Sequence, residues 1–416
     1  MRFFYTLFVL FYHLAVILVS PFNAKANLRR RGVKKVFREL EEKCSELEHI
    51  ICFHCASLGE FEQGKPLMEK IKREHPGYTI MVTFFSPSGY EIKKNDPIAD
   101  IVTYLPVDTP RNNRKFLDIV KPEAFFFIKY EFWFNLMDGL DKYHIPFFYI
   151  SAIFRPGQYF FKKWGKWFAA HLKNVTYFFV QDIQSKALLQ NLNIENVEVT
   201  GDTRFDRVME IAMQQFQLDF VISFKNSGKL IVGGSTWKPD EKLLKEVMDA
   251  IPGAYKLILA PHLVDTKHIK EIKKLFEDYP VTTYSESKNQ NPADFQILII
   301  DNIGMLNKIY KYSDISYIGG AFETGLHNIL EATVYGVPVF FGPHYQKFNE
   351  ATALIKSGGA YSVRKSREMT EKLYEFENSP ETYEEVCRSS KEYVQQNLGA
   401  CDKIYRKLKE LKIPDF

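Results

Sequence analysis

I-S-Y-I-G-G-A-F-E-T-G-L-H-N-I-L-E-A-T-V-Y-G-V-P-V-F-F-G-P-H, residues Ile315 to His344, holds one complete unit of alternating structure. An apolar run stops at Gly319-Gly320, a glycine-containing loop follows, Asn328 to Tyr335 has helical spacing, and Val337 to Phe341 is apolar again. The spacing predicts a strand, a glycine loop, a helix and a second strand. In such a unit the loop N–H groups and the helix N-terminus carry partial positive charge, so a phosphate is the expected guest at Gly319 and Gly320. Glu331, one turn into the helix, is placed to accept hydrogen bonds from a ribose. The same pattern also fits an ordinary βαβ unit, and the rest of the chain has to decide.

Working outward, short apolar runs rich in β-branched and aromatic residues alternate with helical patterns from His49 onward. The first group is Ile50-Cys55, Thr79-Phe84, Ile101-Leu105, Ala124-Ile128, Phe147-Ile150, Tyr177-Val180 and Val197-Thr200. A Gln/Asn-containing stretch between Met213 and Gly228 interrupts them. The second group is Leu230-Val232, Leu257-Leu259, Val281-Thr283, Ile297-Ile300, Ile315-Ile318 and Val337-Phe341. Continuous apolar runs separated by helices predict parallel sheets covered on both faces, hence two doubly wound α/β domains with ligands at the carboxyl ends of the strands and in the cleft between the domains. The expected boundaries are a membrane anchor over 1–24, a first domain over 25–212, a connection over 213–228, a second domain over 229–395 and a trailing helix over 396–416.

The 416 residues, 46% hydrophobic, supply enough material for two cores, and 55 basic against 51 acidic residues is too balanced a charge to point to nucleic acid. Cys44, Cys52, Cys55, Cys387 and Cys401 are odd in number and scattered, which suits a reducing compartment. The C-x-x-C spacing of Cys52 and Cys55 lies within an apolar run and reads as a buried strand rather than a redox or zinc site. Phe3 to Pro21 carries no charge and is about long enough to cross a bilayer, with Lys25, Arg29, Arg30, Arg31, Lys34 and Lys35 just after it. The positive-inside rule then leaves the body in the cytoplasm. A cleaved signal peptide and an in-plane amphipathic helix are the alternatives.

Candidate site residues gather at strand ends. Ser57, Gly59 and Glu60 follow Ile50-Cys55, an arrangement that fits either a catalytic carboxylate or a capping box. Ser88 and Gly89 follow Thr79-Phe84, and Glu131 follows Ala124-Ile128 among aromatic residues. The segment from Ser151 to Lys166, with Arg155 and interleaved aromatics, reads as a basic helix for a phosphorylated lipid or as a solvated face over an aromatic core. In the second half Ser235 and Thr236, Pro261 and His262, and Ile303, Gly304 and Met305 end three further strands. No Asp-x-Asp pair and no His/Cys set with zinc spacing is present, so no metal is expected.

These stretches, taken in order, resemble the Kdo transferases of lipopolysaccharide synthesis, membrane-associated glycosyltransferases of GT-B architecture. His54-Cys55-Ala56-Ser57-Leu58-Gly59-Glu60 resembles the family's H-A-x-S-x-G-E, and Ser86-Pro87-Ser88-Gly89 its T-x-T-x-T-P-T-G. Lys129 to Leu136 resembles E-x-E-L-W-P-N-L, and Val199 to Asp206 resembles V-T-G-N-x-K-F-D. Gly304-Met305-Leu306, Gly319-Gly320, His327 to Glu331 and Phe341-Gly342-Pro343-His344 complete the set. His262 stands where the family usually has Arg, Ile329 where it has Pro, and Lys129 where it has the first Glu of E-x-E.

The resemblance implies an inverting transfer of Kdo from CMP-Kdo to a phosphorylated lipid A precursor, lipid IVA, at the bacterial inner membrane, with no cofactor. It implies Glu60 as proton acceptor and Pro261, His262, Ile303, Gly304, Met305, Asn328, Ile329, Leu330 and Glu331 as CMP contacts. Ser235, Thr236, Gly319 and Gly320 are then candidate phosphate or sugar contacts, and Ser57, Gly59, Ser88, Gly89, Glu131 and Arg155 candidate acceptor contacts. A nucleotide-sugar epimerase of the same two-domain fold and a non-catalytic membrane scaffold are the rival readings, and the apolar N-terminal segment argues against the first.

Overall fold

The continuous apolar runs become strands whose side chains are buried on both faces. The computed structural model describes residues 1–323 and 325–413, so Thr324 of the opening stretch and residues 414–416 of the expected trailing helix lie outside the described residues. The chain forms two units, Met1–Arg207 with Leu398–Phe416, and Val208–Asn397.

The first unit contains β1 (Ile50–Cys55), β2 (Thr79–Phe84), β3 (Ile101–Tyr104), β4 (Ala124–Ile128), β5 (Phe147–Ala152), β6 (Tyr177–Val180) and β7 (Val197–Val199). They form an all-parallel sheet in the order β3-β2-β1-β4-β5-β6-β7. Its centre is tied by two aromatic ladders running across the strands. On one face Phe53, Phe126, Phe148 and Phe179 stack at centroid separations of 4.8, 5.0 and 6.3 Å. Phe127, Tyr149 and Phe178 do the same on the other, at 5.0 and 5.4 Å. Each such pair adds about 0.5–1.5 kcal/mol beyond burial. Cys52 and Cys55 are buried in β1, and burial pushes both thiols well up, as a structural strand requires.

Helix α1 (Arg2–Val19) is long and apolar enough to cross a membrane, with a mean hydropathy of 1.9. It is bonded to the first unit near both ends. Arg2 pairs with Asp138 at 3.2 Å, the Tyr5 hydroxyl donates to Asp108 at 2.6 Å and Asn135 donates to Thr6 at 3.1 Å. Towards the other end Tyr12 stacks on Phe85, and Arg30, on α2 (Ala24–Cys44), donates to Ser20.

The trailing helix, Ala400–Leu411, belongs to the first unit. Asp206 accepts from the Gly399 and Cys401 N–H groups at 2.7 Å each, and Ile404 and Leu408 are fully buried in the core beneath. The Ser151–Lys166 segment is not one helix but contains two 3₁₀ turns, Tyr159–Phe161 and Lys163–Gly165, and Gly165 packs so close to the Tyr159 carbonyl that no Cβ would fit there. Phe160 is buried against Phe132 and Phe154, so much of this segment's aromatic content is core.

The second unit contains β8 (Lys229–Thr236), β9 (Tyr255–Pro261), β10 (Val281–Thr283), β11 (Ile297–Ile299), β12 (Ile315–Ile318), β13 (Val339–Phe341) and β14 (Ala360–Ser362). The order is β10-β11-β9-β8-β12-β13-β14, again all parallel. The stretch read as a connection contains a helix, Asp219–Lys225, whose Val221 and Phe224 are buried and whose preceding Leu218 N–H donates to the Tyr312 hydroxyl. The helix expected over Asn328–Tyr335 is a single turn, Leu330–Thr333, and the chain turns at Gly336 with φ of 67°.

The ladders make a direct test of what holds the first sheet. Phe126→Ala removes the ring shared by two stacked pairs and is expected to cost about 3–5 kcal/mol, read as a lowered midpoint in chemical denaturation.

Candidate active site

In a doubly wound sheet the crevice opens where neighbouring strands lead off to opposite sides, at the carboxyl ends of those strands. In the first unit that point lies between β1 and β4, and in the second between β8 and β12. The topology therefore selects the Glu60 and Glu131 loops in one unit and the Ser235 and Gly320 loops in the other.

Helix α3 (Leu58–Glu74) starts directly after β1 with Ser57 as its N-cap. Ser57 Oγ accepts from the Glu60 N–H, while Glu60 Oε2 accepts from the Ser57 N–H at 3.2 Å and from the Ala56 N–H. The capping box is real, and it holds the candidate catalytic carboxylate. Glu60 is 7% exposed. Burial, with the charge of Glu131, pushes its pKa up to about 8 against the opposing pull of the two backbone N–H groups and Lys129. Oε2 carries both backbone bonds, which leaves Oε1 for a substrate proton.

Glu131 Oε2 lies 3.9 Å from His54 Nε2, but this is not an ion pair. Trp133 donates its indole N–H to that Nε2 at 2.9 Å, so the His54 proton resides on Nδ1 and is shared with Thr83 Oγ1 at 2.9 Å. The Tyr130 hydroxyl feels the charges of Glu60, Glu131, Arg155 and Arg204 together, which gathers these four groups around it. Ser86 donates its N–H to the Ala56 carbonyl at 2.8 Å, and a Cβ on Gly89 would sit 3.1 Å from the Leu58 N. The Ser57-Gly59 and Ser88-Gly89 turns are thus neighbours.

Arg204 was not among the residues selected above, although its G-D-T-R-F-D motif was recognised at the end of a strand. Its guanidinium bonds Asp202 Oδ2 through Nε and Nη2 at 2.8 and 2.7 Å, and Gln63 donates to Asp202 Oδ1 at 2.7 Å. Burial alone would raise the Asp202 carboxyl, but Arg204 and these donors hold it below the usual carboxylate range.

In the second unit the expected phosphate cradle is already filled. The Gly319 N–H donates to the Gly234 carbonyl at 2.9 Å and the Gly320 N–H to Asp240 Oδ2 at 2.9 Å. Asp240 also accepts from the Trp237 N–H and the Tyr317 hydroxyl, each at 2.9 Å. Gly319 is required by close approach, since a Cβ there would overlap the Ser235 carbonyl, and Gly320 by its φ of 94°. Thr236 is buried with its hydroxyl on Glu241, which also bonds His268, so it too is internal. Ser235 adopts a left-handed φ of 52° at the strand end.

The remaining tips form an aromatic platform and two loops. His262 follows Pro261 and stacks between Trp237 and His327, at 4.7 and 4.5 Å. Trp237 donates its indole N–H to His327 Nε2 at 3.2 Å, and burial with the neighbouring His262 lowers the His327 pKa to about 4. Ile303 is 79% exposed beside Gly304 and Met305. Asn328 donates to Glu331 at 3.0 Å and accepts from the Leu330 N–H, whereas the Ile329 and Leu330 side chains are wholly buried and can offer a ligand only main chain.

A family model described as 3-Deoxy-D-manno-octulosonic-acid transferase (kdotransferase) matches residues 27–207. A 3-deoxy-D-manno-octulosonic acid transferase of Aquifex aeolicus is 27% identical over 343 residues, covering 80% of this chain and 88% of the relative. Another, of Haemophilus influenzae, is 25% identical over 423 residues and covers 98% of each. Over most of its length the chain is similar to Kdo transferases.

The fold is shared more widely: UDP-GlcNAc 2-epimerase from Neisseria meningitidis bound to UDP-GlcNAc superposes with a TM-score of 0.61 at 16% identity, covering 87% of this chain and 99% of that one. The architecture is GT-B. In this chain the loop after β12 is braced by Asp240, 80 residues upstream of Gly320. Asp240→Ala leaves two backbone N–H groups and the Tyr317 hydroxyl without their acceptor. Each unsatisfied buried group costs about 1–3 kcal/mol, so the variant is expected to unfold at clearly lower denaturant concentration than Asp240→Asn.

Proposed function

We propose that this glycosyltransferase moves Kdo from CMP-Kdo to a phosphorylated lipid A precursor, lipid IVA, by an inverting mechanism without a metal, with Glu60 as general base. The observation that carries the reading is a buried carboxylate at the β1 switch point whose pKa is raised to about 8 by burial and Glu131. A base poised near the working pH combines enough of its ionised form with enough affinity for the proton.

In the reaction the acceptor glucosamine hydroxyl gives its proton to Glu60 Oε1 as its oxygen bonds to the anomeric carbon of Kdo. The bond from that carbon to the phosphate oxygen breaks, and CMP leaves with the electron pair. The capping-box N–H groups hold the carboxylate in place, so orientation is set before substrate arrives. The second unit carries the nucleotide contacts, with the base and ribose assigned to His262, Gly304, Met305 and Glu331 and main-chain contacts to Pro261, Ile303 and Asn328 to Leu330. Asp240 holds Gly319 and Gly320 as the scaffold of this site rather than as its phosphate donors.

The protein is assigned to the cytoplasmic face of the bacterial inner membrane. Because α1 spans about 27 Å and is bonded near both ends to one unit, an in-plane anchor fits it better than a crossing helix.

Incubation with CMP-Kdo and a tetraacylated disaccharide lipid, followed by mass spectrometry, is expected to show added Kdo; an unchanged lipid would sink the reading, and an altered free nucleotide sugar would indicate an epimerase. Glu60→Gln should lose about 10²–10⁴-fold in rate while still binding CMP. The base works ionised, so the wild-type single-turnover rate should rise about tenfold per pH unit up to pH about 8 and then level. Glu131→Gln removes one of the causes that raise this pKa and is expected to move the limb to lower pH. Glu331→Ala should weaken CMP binding in calorimetry.

A further inference from the structure

Among the described residues Arg29, on α2, is a buried cation without a counter-ion. It is 8% exposed, its guanidinium lies 3.6 Å from the centroid of the Phe85 ring, and it donates to the Phe85 carbonyl. Among the described residues that carbonyl is its only hydrogen-bond acceptor, and no carboxylate pairs with it. Burial lowers its pKa to about 10. The Tyr104 hydroxyl, close enough to feel this charge, is itself buried without a hydrogen-bond partner among the described residues. A buried charge left uncompensated is costly, so a fold that keeps one has a use for its missing partner.

Arg29 lines a cavity of about 340 Å³, whose lining also includes Tyr12, Val16 and Val19 of α1, Lys25, and Phe85. The walls are apolar apart from the two cations and a few polar groups around Asn23 and Ser86. The volume is at the small end of ligand pockets, enough for a head group and part of one chain. Elsewhere on α1, Phe4, Phe8, Phe11 and Leu18 are strongly exposed, an apolar surface of the kind that enters a lipid boundary. The cavity also adjoins the chemistry. Ser86, in its wall, donates to the Ala56 carbonyl, and the Ala56 N–H holds Glu60.

We propose that this cavity binds an anionic lipid, its phosphate held by Arg29 and Lys25 and the first methylenes of one acyl chain lying along Tyr12, Val16 and Val19. The inference rests on the reading of the acceptor as a phosphorylated lipid and names the side chains that hold its phosphate. The chain excludes bulk water from the Arg29 contact, which strengthens a charge-assisted bond that would be weak at an open surface.

Full-length protein in an uncharged detergent would be titrated with dodecyl phosphate, dodecyl maltoside and inorganic phosphate by calorimetry. Dodecyl phosphate should bind on the order of tenfold or more tighter than either other probe, and Arg29→Met should reduce it to the level of dodecyl maltoside. Val16→Trp fills the apolar part with Arg29 intact and should weaken dodecyl phosphate without lowering the melting temperature, which covers the case in which Arg29→Met fails to fold. Unchanged binding in either folded variant, or inorganic phosphate binding as tightly as dodecyl phosphate, overturns the proposal. Kdo transfer in the same preparation with binding indifferent to Arg29 would defeat the pocket alone. Arg29-dependent binding without any transfer would uphold the pocket and defeat the acceptor reading.

Discussion

A parallel sheet covered on both faces has no wet surface of its own, so polar chemistry is confined to the places where its strands end. Both sheets obey this constraint: β1, β4 and β5 are buried along their whole length, as is the middle of β8. The first residues free to be polar are those just past the carboxyl ends. Glu60, Glu131 and Gly320 occupy such positions and Ser235 is the penultimate residue of β8, two on each sheet and on the strands that flank the topological switch. The aromatic ladders reinforce the constraint by making the centre of the first sheet too dry and too tightly packed for an unpaired charge.

Within that frame Glu60 is pulled in two directions. Two backbone N–H groups favour its ionised form, while burial and a second carboxylate disfavour it, and the second pair prevails. The same capping bonds that start α3 also aim the carboxylate, so the helix and the proposed base have one geometry between them. Asp240 plays the complementary part in the second unit, where its buried carboxyl, raised by burial, spends its lone pairs on bracing the loop that follows β12.

Local pattern was enough for the strands and for the positions of the loops, because a run such as Thr79–Phe84 or Ala124–Ile128 has few other uses in a soluble unit. It was not enough for occupancy. Gly319-Gly320 reads locally as an open cradle, and only the fold brings Asp240 onto its N–H group. The turn Leu330–Thr333 fell short of its eight-residue pattern because the Asn328 side chain caps the Leu330 N–H and the Tyr335 and Gly336 N–H groups turn back three residues to Ala332 and Thr333, and β14 was missed because three residues after two glycines make no apolar run. Arg204 lay in a recognised motif, yet its position beside Tyr130 is held through Asp202 and Gln63, which sequence spacing does not bring together.

The return of the Ala400–Leu411 helix to the first unit has a consequence for how the chain is made. Residues 208–397 form an insertion within the first unit, and the groove that Ile404 and Leu408 fill is lined by strands completed some 200 residues earlier. On the ribosome the first sheet therefore emerges with an apolar strip uncovered throughout synthesis of the second unit. The strip is sealed only once the Ala400–Leu411 helix has been made, and Asp206 waits in place to fix its start. In this chain order of synthesis and order of completion are reversed, and the first unit to be translated is the last to close.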